Sequence, residues 1–230
     1  MRNITKIALL LVVAFFVYLI WPRTPDLKGF DPVALSKLEL KVWKAEKEKR
    51  GFAALMARYQ IYTSQYHLSP AAAFLAARSA GNGIDGINEM RLINSQRSPE
   101  QGPDTAAEGR AIIDLTEGYA RMKGDAKTDF DPDAIAREEF AWRMLLLDGA
   151  PADEVAKPIS RILALIYGGP ASDFQDVAAY LAYAQTLTFG AEPPADVTNP
   201  AQAAEEAAIE GNKQLKQIAT MPVPAATPES

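Results

Sequence analysis

Apolar positions recur along most of this chain at spacings of three and four, the signature of helices with one buried face. No stretch keeps the period-two alternation of a half-buried strand for long enough to build a sheet. One segment departs from this pattern, because Ile7 to Trp21 (IALLLVVAFFVYLIW) is apolar without interruption. As a helix it reaches about 22 Å, or roughly 27 Å counted from Ile4, close to the ~30 Å hydrocarbon core of a bilayer. With Arg2 and Lys6 ahead of it the segment also has the form of a secretory signal, and a buried core helix is a third reading. The flank Tyr18-Leu19-Ile20-Trp21-Pro22-Arg23 offers no small residues at the paired positions a signal peptidase reads. The expectation is therefore an uncleaved transmembrane signal anchor over residues 1–22. Lys6 snorkels toward head groups, and Tyr18 and Trp21 sit at the far interface. Arg2 and Lys6 favour a cytoplasmic N-terminus, against a weaker pull from Arg23 and Lys28, which places the remainder on the periplasmic or extracytoplasmic side of an inner membrane.

After a Pro/Gly-punctuated linker at 23–29, the pattern predicts an all-α domain over 30–218, a bundle or short α-solenoid, and a disordered tail at 219–230. Asp31-Pro32 opens a first helix to about Arg50, stopped by Gly51. A second runs from Phe52 to about His67 with Leu55, Tyr59, Tyr62 and Tyr66 on one face. Ser69-Pro70 caps a third, which Gly81-Asn82-Gly83 breaks near Ala80. A polar loop at 94–103 precedes a helix from the capping box Thr105-Ala-Ala-Glu108 to Lys123, with Ile112, Leu115, Tyr119 and Met122 on one face. Asp131-Pro132 starts another to about Asp148, and further helices span 152–167 and 170–187. Asn199-Pro200 caps a last, alanine-rich helix whose apolar stripe is thin, predicting weak packing or a partner. Displaced by 100 residues, Phe30-Asp31-Pro32, Ala34, Glu39, Pro70, Ala71 and Phe74 each meet their own kind. That self-similarity predicts a duplicated three-helix unit, 30–81 and 130–187, joined by the loop and helix of 94–124.

Composition changes this picture little. At 230 residues with 48% hydrophobic content the chain can close one sizeable core. The absence of cysteine excludes disulfides, thiolate metal sites and cysteine nucleophiles. Charge is more informative: residues 23–100 hold 12 Lys/Arg against 8 Asp/Glu, whereas 101–230 hold 10 against 21. A basic membrane-proximal half and an acidic distal half suit a bilayer at one end. They argue against nucleic acid, which needs a clustered basic surface.

Candidate chemistry is sparse. Leu35, Glu39 and Val42 share an inward helix face, and Ile135, Glu139 and Trp142 repeat that spacing, so two carboxylates point inward at equivalent places. They are candidates for acid/base chemistry or a carboxylate-bridged metal pair. Such a metal site wants two Glu-x-x-His motifs, and the single histidine, His67, does not follow a glutamate by three. Pairing with an arginine such as Arg58, Arg78 or Arg161 is the simpler role. Gly81 to Gly86 spells GxGxxG without a βαβ setting, and reads as a helix stop and turn. Asp129, Asp131 and Asp133 open like a calcium loop but lack its glycine and closing glutamate. Lys37, Lys41 and Lys44 form one face of the first helix, solvated and supported by Glu46 and Glu48, or in contact with anionic lipid. Tyr59, Tyr62 and Tyr66 line a candidate groove. The sequence thus predicts a membrane-tethered helical interaction module, scaffold or accessory subunit of a bacterial inner-membrane assembly. It requires no cofactor, and its expected partners are the lipid bilayer and a protein of the same complex. The alternatives are an enzyme or metal-binding bundle using Glu39 and Glu139, and a peptide- or lipid-binding groove.

Overall fold

The computed structural model describes residues 10–14, 17–19, 21, 23–98, 102–124 and 129–221. Among them there is no strand, and eight α-helices pack as a bundle: α1 Pro32–Lys47, α2 Gly51–Gln60, α3 Pro70–Gln96, α4 Thr105–Lys123, α5 Pro132–Leu147, α6 Ala152–Tyr167, α7 Gln175–Phe189 and α8 Pro200–Thr220. A π-helical turn Ile61–Gln65 extends α2, and a 3-10 turn Ala171–Phe174 leads into α7. Each helix packs on its successor and α8 returns to α1, so the helices form a ring.

Local chemistry sets the helix starts. The side chains of Asp31, Ser69, Asp131 and Asn199 accept backbone N–H bonds in the first turns of α1, α3, α5 and α8, each followed by proline where no N–H is needed. Before α4 the cap is Asp104, bonded to the amides of Ala106 and Ala107, and Thr105 is already helical. A carboxylate outcompetes the hydroxyl beside it because it also faces the positive end of the helix dipole. Helices α1 and α5 have boundaries displaced by 100 residues, and buried Phe30 and Phe130 precede them. Their inward faces are those expected: Leu35, Val42, Ile135, Glu139 and Trp142 are buried and Glu39 is half-buried.

The largest difference from expectation is α3, which runs unbroken through Gly81, Gly83 and Gly86. A glycine costs about 1 kcal/mol in a helix interior, but here its missing side chain admits α4. A Cβ on Gly83 would lie 2.7 Å from the Leu115 Cγ, and one on Gly118 would lie 3.3 Å from the Ala80 backbone nitrogen. The predicted break is thus a contact surface, and the predicted loop at 94–103 begins only after Gln96. Helix α1 ends at Lys47, with Lys49 at φ 56° making the turn and Gly51 opening α2. The second helix does not reach His67, which stands at φ 57° after the π turn. Helix α8 packs firmly on α7 and α1, burying Ala204, Ala207, Ala208, Gly211 and Leu215. Its small residues do not weaken the packing but bring two helices close.

Ahead of the ring, residues 10–14 and 17–19 are helical, with Leu10, Leu11, Val12, Val13, Val17 and Tyr18 exposed. No helix among the described residues is long and apolar enough to cross a membrane. Much of the predicted anchor, Lys6 included, and the tail after Met221 lie outside the described residues.

Candidate functional site

The ring holds a partly open cavity of about 180 Å³ lined from α1 through α6. Glu39 and Trp43 reach it from α1, Arg58 from α2, Tyr62 from the π turn and Tyr66 from just beyond, Tyr119 from α4, and Glu139 and Arg143 from α5. The two carboxylates singled out in the sequence therefore share one cavity, together with two of the three candidate groove tyrosines. Tyr59 does not line it and packs against the core instead. Ile61 and Tyr62 line the cavity from the π turn and Tyr66 from the residue that follows it, whereas Tyr59 lies in the regular helix ahead of the turn. The Tyr62 and Tyr66 rings stack with centroids 6.3 Å apart.

The carboxylates have different fates. Glu139 is held on both oxygens: Arg143 Nε donates to Oε1 at 2.7 Å and the Tyr119 hydroxyl donates to Oε2 at 2.6 Å. Arg143 also donates through Nη1 to Glu46 Oε2 at 3.1 Å, and Arg58 donates through Nη2 to Glu46 Oε1. Two guanidiniums and two carboxylates thus form a chain linking α2, α1 and α5. Burial works to raise the Glu46 carboxyl, but Arg143 and Arg58 outweigh it and hold it below the usual carboxylate range. Burial likewise works to lower Arg143, and the two carboxylates reverse that, holding its guanidinium above its usual value.

Among the described residues no arginine pairs with Glu39. Asn212 Nδ2 on α8 donates to Glu39 Oε2 at 2.7 Å and to Ser36 Oγ at 3.0 Å, while Ser36 donates to the Ala208 carbonyl at 2.9 Å. Among the described residues nothing donates to Glu39 Oε1. Burial pushes this carboxyl up to about 7, only partly countered by the Asn212 amide. Around it the tyrosine hydroxyls stay protonated: burial pushes Tyr62 up to about 12 and Tyr66, Tyr119 and Tyr167 upward as well.

Other sequence candidates fall elsewhere. Lys37, Lys41 and Lys44 are exposed on the outer face of α1, as expected, but Glu46 does not join them. Its side chain is only 7% exposed, because two guanidiniums draw it inward. Arg78 is exposed, and Arg161 pairs with Glu138 at 2.7 Å. Trp21 is exposed, and Arg23 stacks on the exposed Tyr18 ring at 5.1 Å. His67 is exposed, Asp131 is a cap, Asp129 pairs with Lys123 and Asp133 pairs with Arg137. Among the described residues no group of three or more His, Asp or Glu side chains gathers to hold a metal.

The sequence reading missed Glu46, Arg143 and Asn212. The first two had a signal, since Glu46 is seven residues after Glu39 and Arg143 four after Glu139, both on inward faces. Asn212 sits in an alanine stripe, where a lone amide carries no pattern. The chain matches no family model, no curated protein and no solved structure.

Proposed function

We propose that this protein is a membrane-tethered helical interaction module, a scaffold or accessory subunit of a bacterial inner-membrane assembly, with the helical ring on the periplasmic side. The observation that carries the reading is the uncovered apolar surface of the N-terminal segment. Leu10 and Leu11 are 70% and 66% exposed, so the ring does not bury this stretch and another apolar medium must. Its length in sequence suits a bilayer core. Arg2 and Lys6 keep the N-terminus in the cytoplasm, and Tyr18, Trp21 and Arg23 take the far interface, leaving Lys37, Lys41 and Lys44 on the first helix beyond it to meet anionic head groups. The ring itself is a duplicated unit, in which α1 and α5 are equivalent helices. A contact role is further supported by the ionic chain, because Glu46, Glu139, Arg58 and Arg143 are engaged with one another and hold the ring together.

The test is alkaline carbonate extraction of membranes from cells expressing the full chain. The protein stays with the membrane pellet, and Val12→Asp/Val13→Asp releases it, since an acidic residue at mid-span costs roughly 3 kcal/mol. A soluble, shortened product from the unsubstituted gene refutes the tether. A phosphatase fusion after Met221 is active on the periplasmic side and inactive if the orientation is reversed.

A further inference from the structure

The pairing around the cavity leaves one carboxylate over. Glu46 and Glu139 share Arg58 and Arg143, whereas Glu39 has an amide on one oxygen and no donor on the other among the described residues. The lining beside it is aromatic, with Trp43, Tyr62, Tyr66 and Tyr119 contributing, and the hydroxyls are neutral. A carboxylate removed from water without a counter-charge is costly, and aromatic rings favour a desolvated cation over an anion. An anionic guest would be repelled by Glu39, and a neutral one would leave it unpaired. Size narrows the class further. About 180 Å³ is well below the roughly 300–1,000 Å³ of sites for drug-sized ligands, less than a whole peptide or acyl chain fills, and it fits a molecule of a few heavy atoms.

We propose that this cavity binds a small organic monocation of the alkylammonium type, with Glu39 as its counter-ion and Trp43, Tyr62 and Tyr66 as its walls. The cation takes the free Oε1 while Asn212 holds Oε2, so the guest completes a charge balance that the protein leaves open by one. Arg58 and Arg143 across the cavity stay committed to their carboxylates and add no net charge. This inference is independent of the tether, since it concerns only the ring.

The experiment titrates the full chain in detergent micelles with propylammonium and tetramethylammonium, against propanol as the neutral isostere and propionate as the anion. Tryptophan fluorescence, to which Trp43 contributes from the cavity wall, reports occupancy. Saturable binding is expected for a cation alone. Its affinity drops about tenfold from pH 8 to pH 6, because the counter-ion, with its carboxyl pushed up to about 7, takes up a proton over that range while the probe stays charged. Glu39→Gln weakens binding at least tenfold, and Lys157→Gln on the exposed face of α6 leaves it unchanged. The pH series uses the unsubstituted protein, so it decides even where Glu39→Gln fails to fold. Equal binding of propanol, a flat pH series, or no saturation by either cation overturns the proposal.

Discussion

Replacing Glu39 with glutamine isolates the cost of one buried ionisation. The carboxyl rises from 4.5 to about 7 on folding, chiefly through burial. Between those values the folded protein holds a proton that the unfolded chain has released, so stability is fully present below about 4.5, falls as pH rises through the window, and levels off above about 7. At 1.36 kcal/mol per pKa unit the full cost is roughly 3 kcal/mol. It is closer to about 2 kcal/mol once the half-buried side chain and its cavity-facing oxygen are allowed for. Glutamine cannot ionise yet keeps an oxygen for the Asn212 amide. Glu39→Gln should therefore be more stable than the parent by about 2 kcal/mol at pH 8, which for a chain of this size is about 4–8 °C in Tm, and by less than about 1 kcal/mol at pH 5. Thermal melts followed by circular dichroism at the two pH values measure this directly. An offset of the same size at both, or none at pH 8, would show that the carboxyl is not desolvated and would refute the reasoning.

The remaining predictions concern the ionic chain and the helix contacts. Arg143→Met leaves Glu139 with no counter-charge and Glu46 with Arg58 alone, and should cost about 3–5 kcal/mol in urea unfolding, whereas combining it with Glu139→Gln should recover part of that loss. Because Glu46 is held below the usual carboxylate range, its contribution is present above the unfolded value and is lost only as pH falls past the folded one. An acid-unfolding midpoint that moves to higher pH in Arg143→Met is the readout. Gly83→Ala pushes a Cβ to 2.7 Å from Leu115 Cγ and should lower stability by about 1–3 kcal/mol, with a smaller loss in a Leu115→Ala background. Asp131→Ala removes the α5 cap and should cost about 1 kcal/mol, read from the Tm.

The parts of the fold legible in the sequence are those that depend on neighbouring residues. Asp31, Ser69, Asp131 and Asn199, each before a proline, mark helix starts because capping is completed within four residues. The inward placement of Glu39 and Glu139 follows from helical spacing alone. What stayed hidden depends on distant partners. Glycines stop a helix that has nothing to meet, but in α3 they meet α4, and the contact outweighs the local cost. Glu46 lies among lysines and looks solvated until Arg143, 97 residues away, is brought beside it. Asn212 gains its role only because α8 returns to α1, which places it on Glu39 across 173 residues. The π turn was likewise invisible, since the spacing of Tyr59, Tyr62 and Tyr66 reads as one face of a regular α-helix.

The closure of α8 on α1 also governs how the molecule comes apart and how large it can be. A linear stack of hairpins frays from its outermost unit and can be lengthened by adding another. Here Lys216 near the end of α8 reaches the Lys28 carbonyl ahead of α1 and covers the Phe30 ring, so the two flanks guard each other and neither offers a loose place to begin unzipping. Cutting away the final helix strips the opening one of its neighbour, and loss of either should collapse the whole in a single cooperative step. Rejoining the ends there and cutting elsewhere, by contrast, should leave the architecture standing.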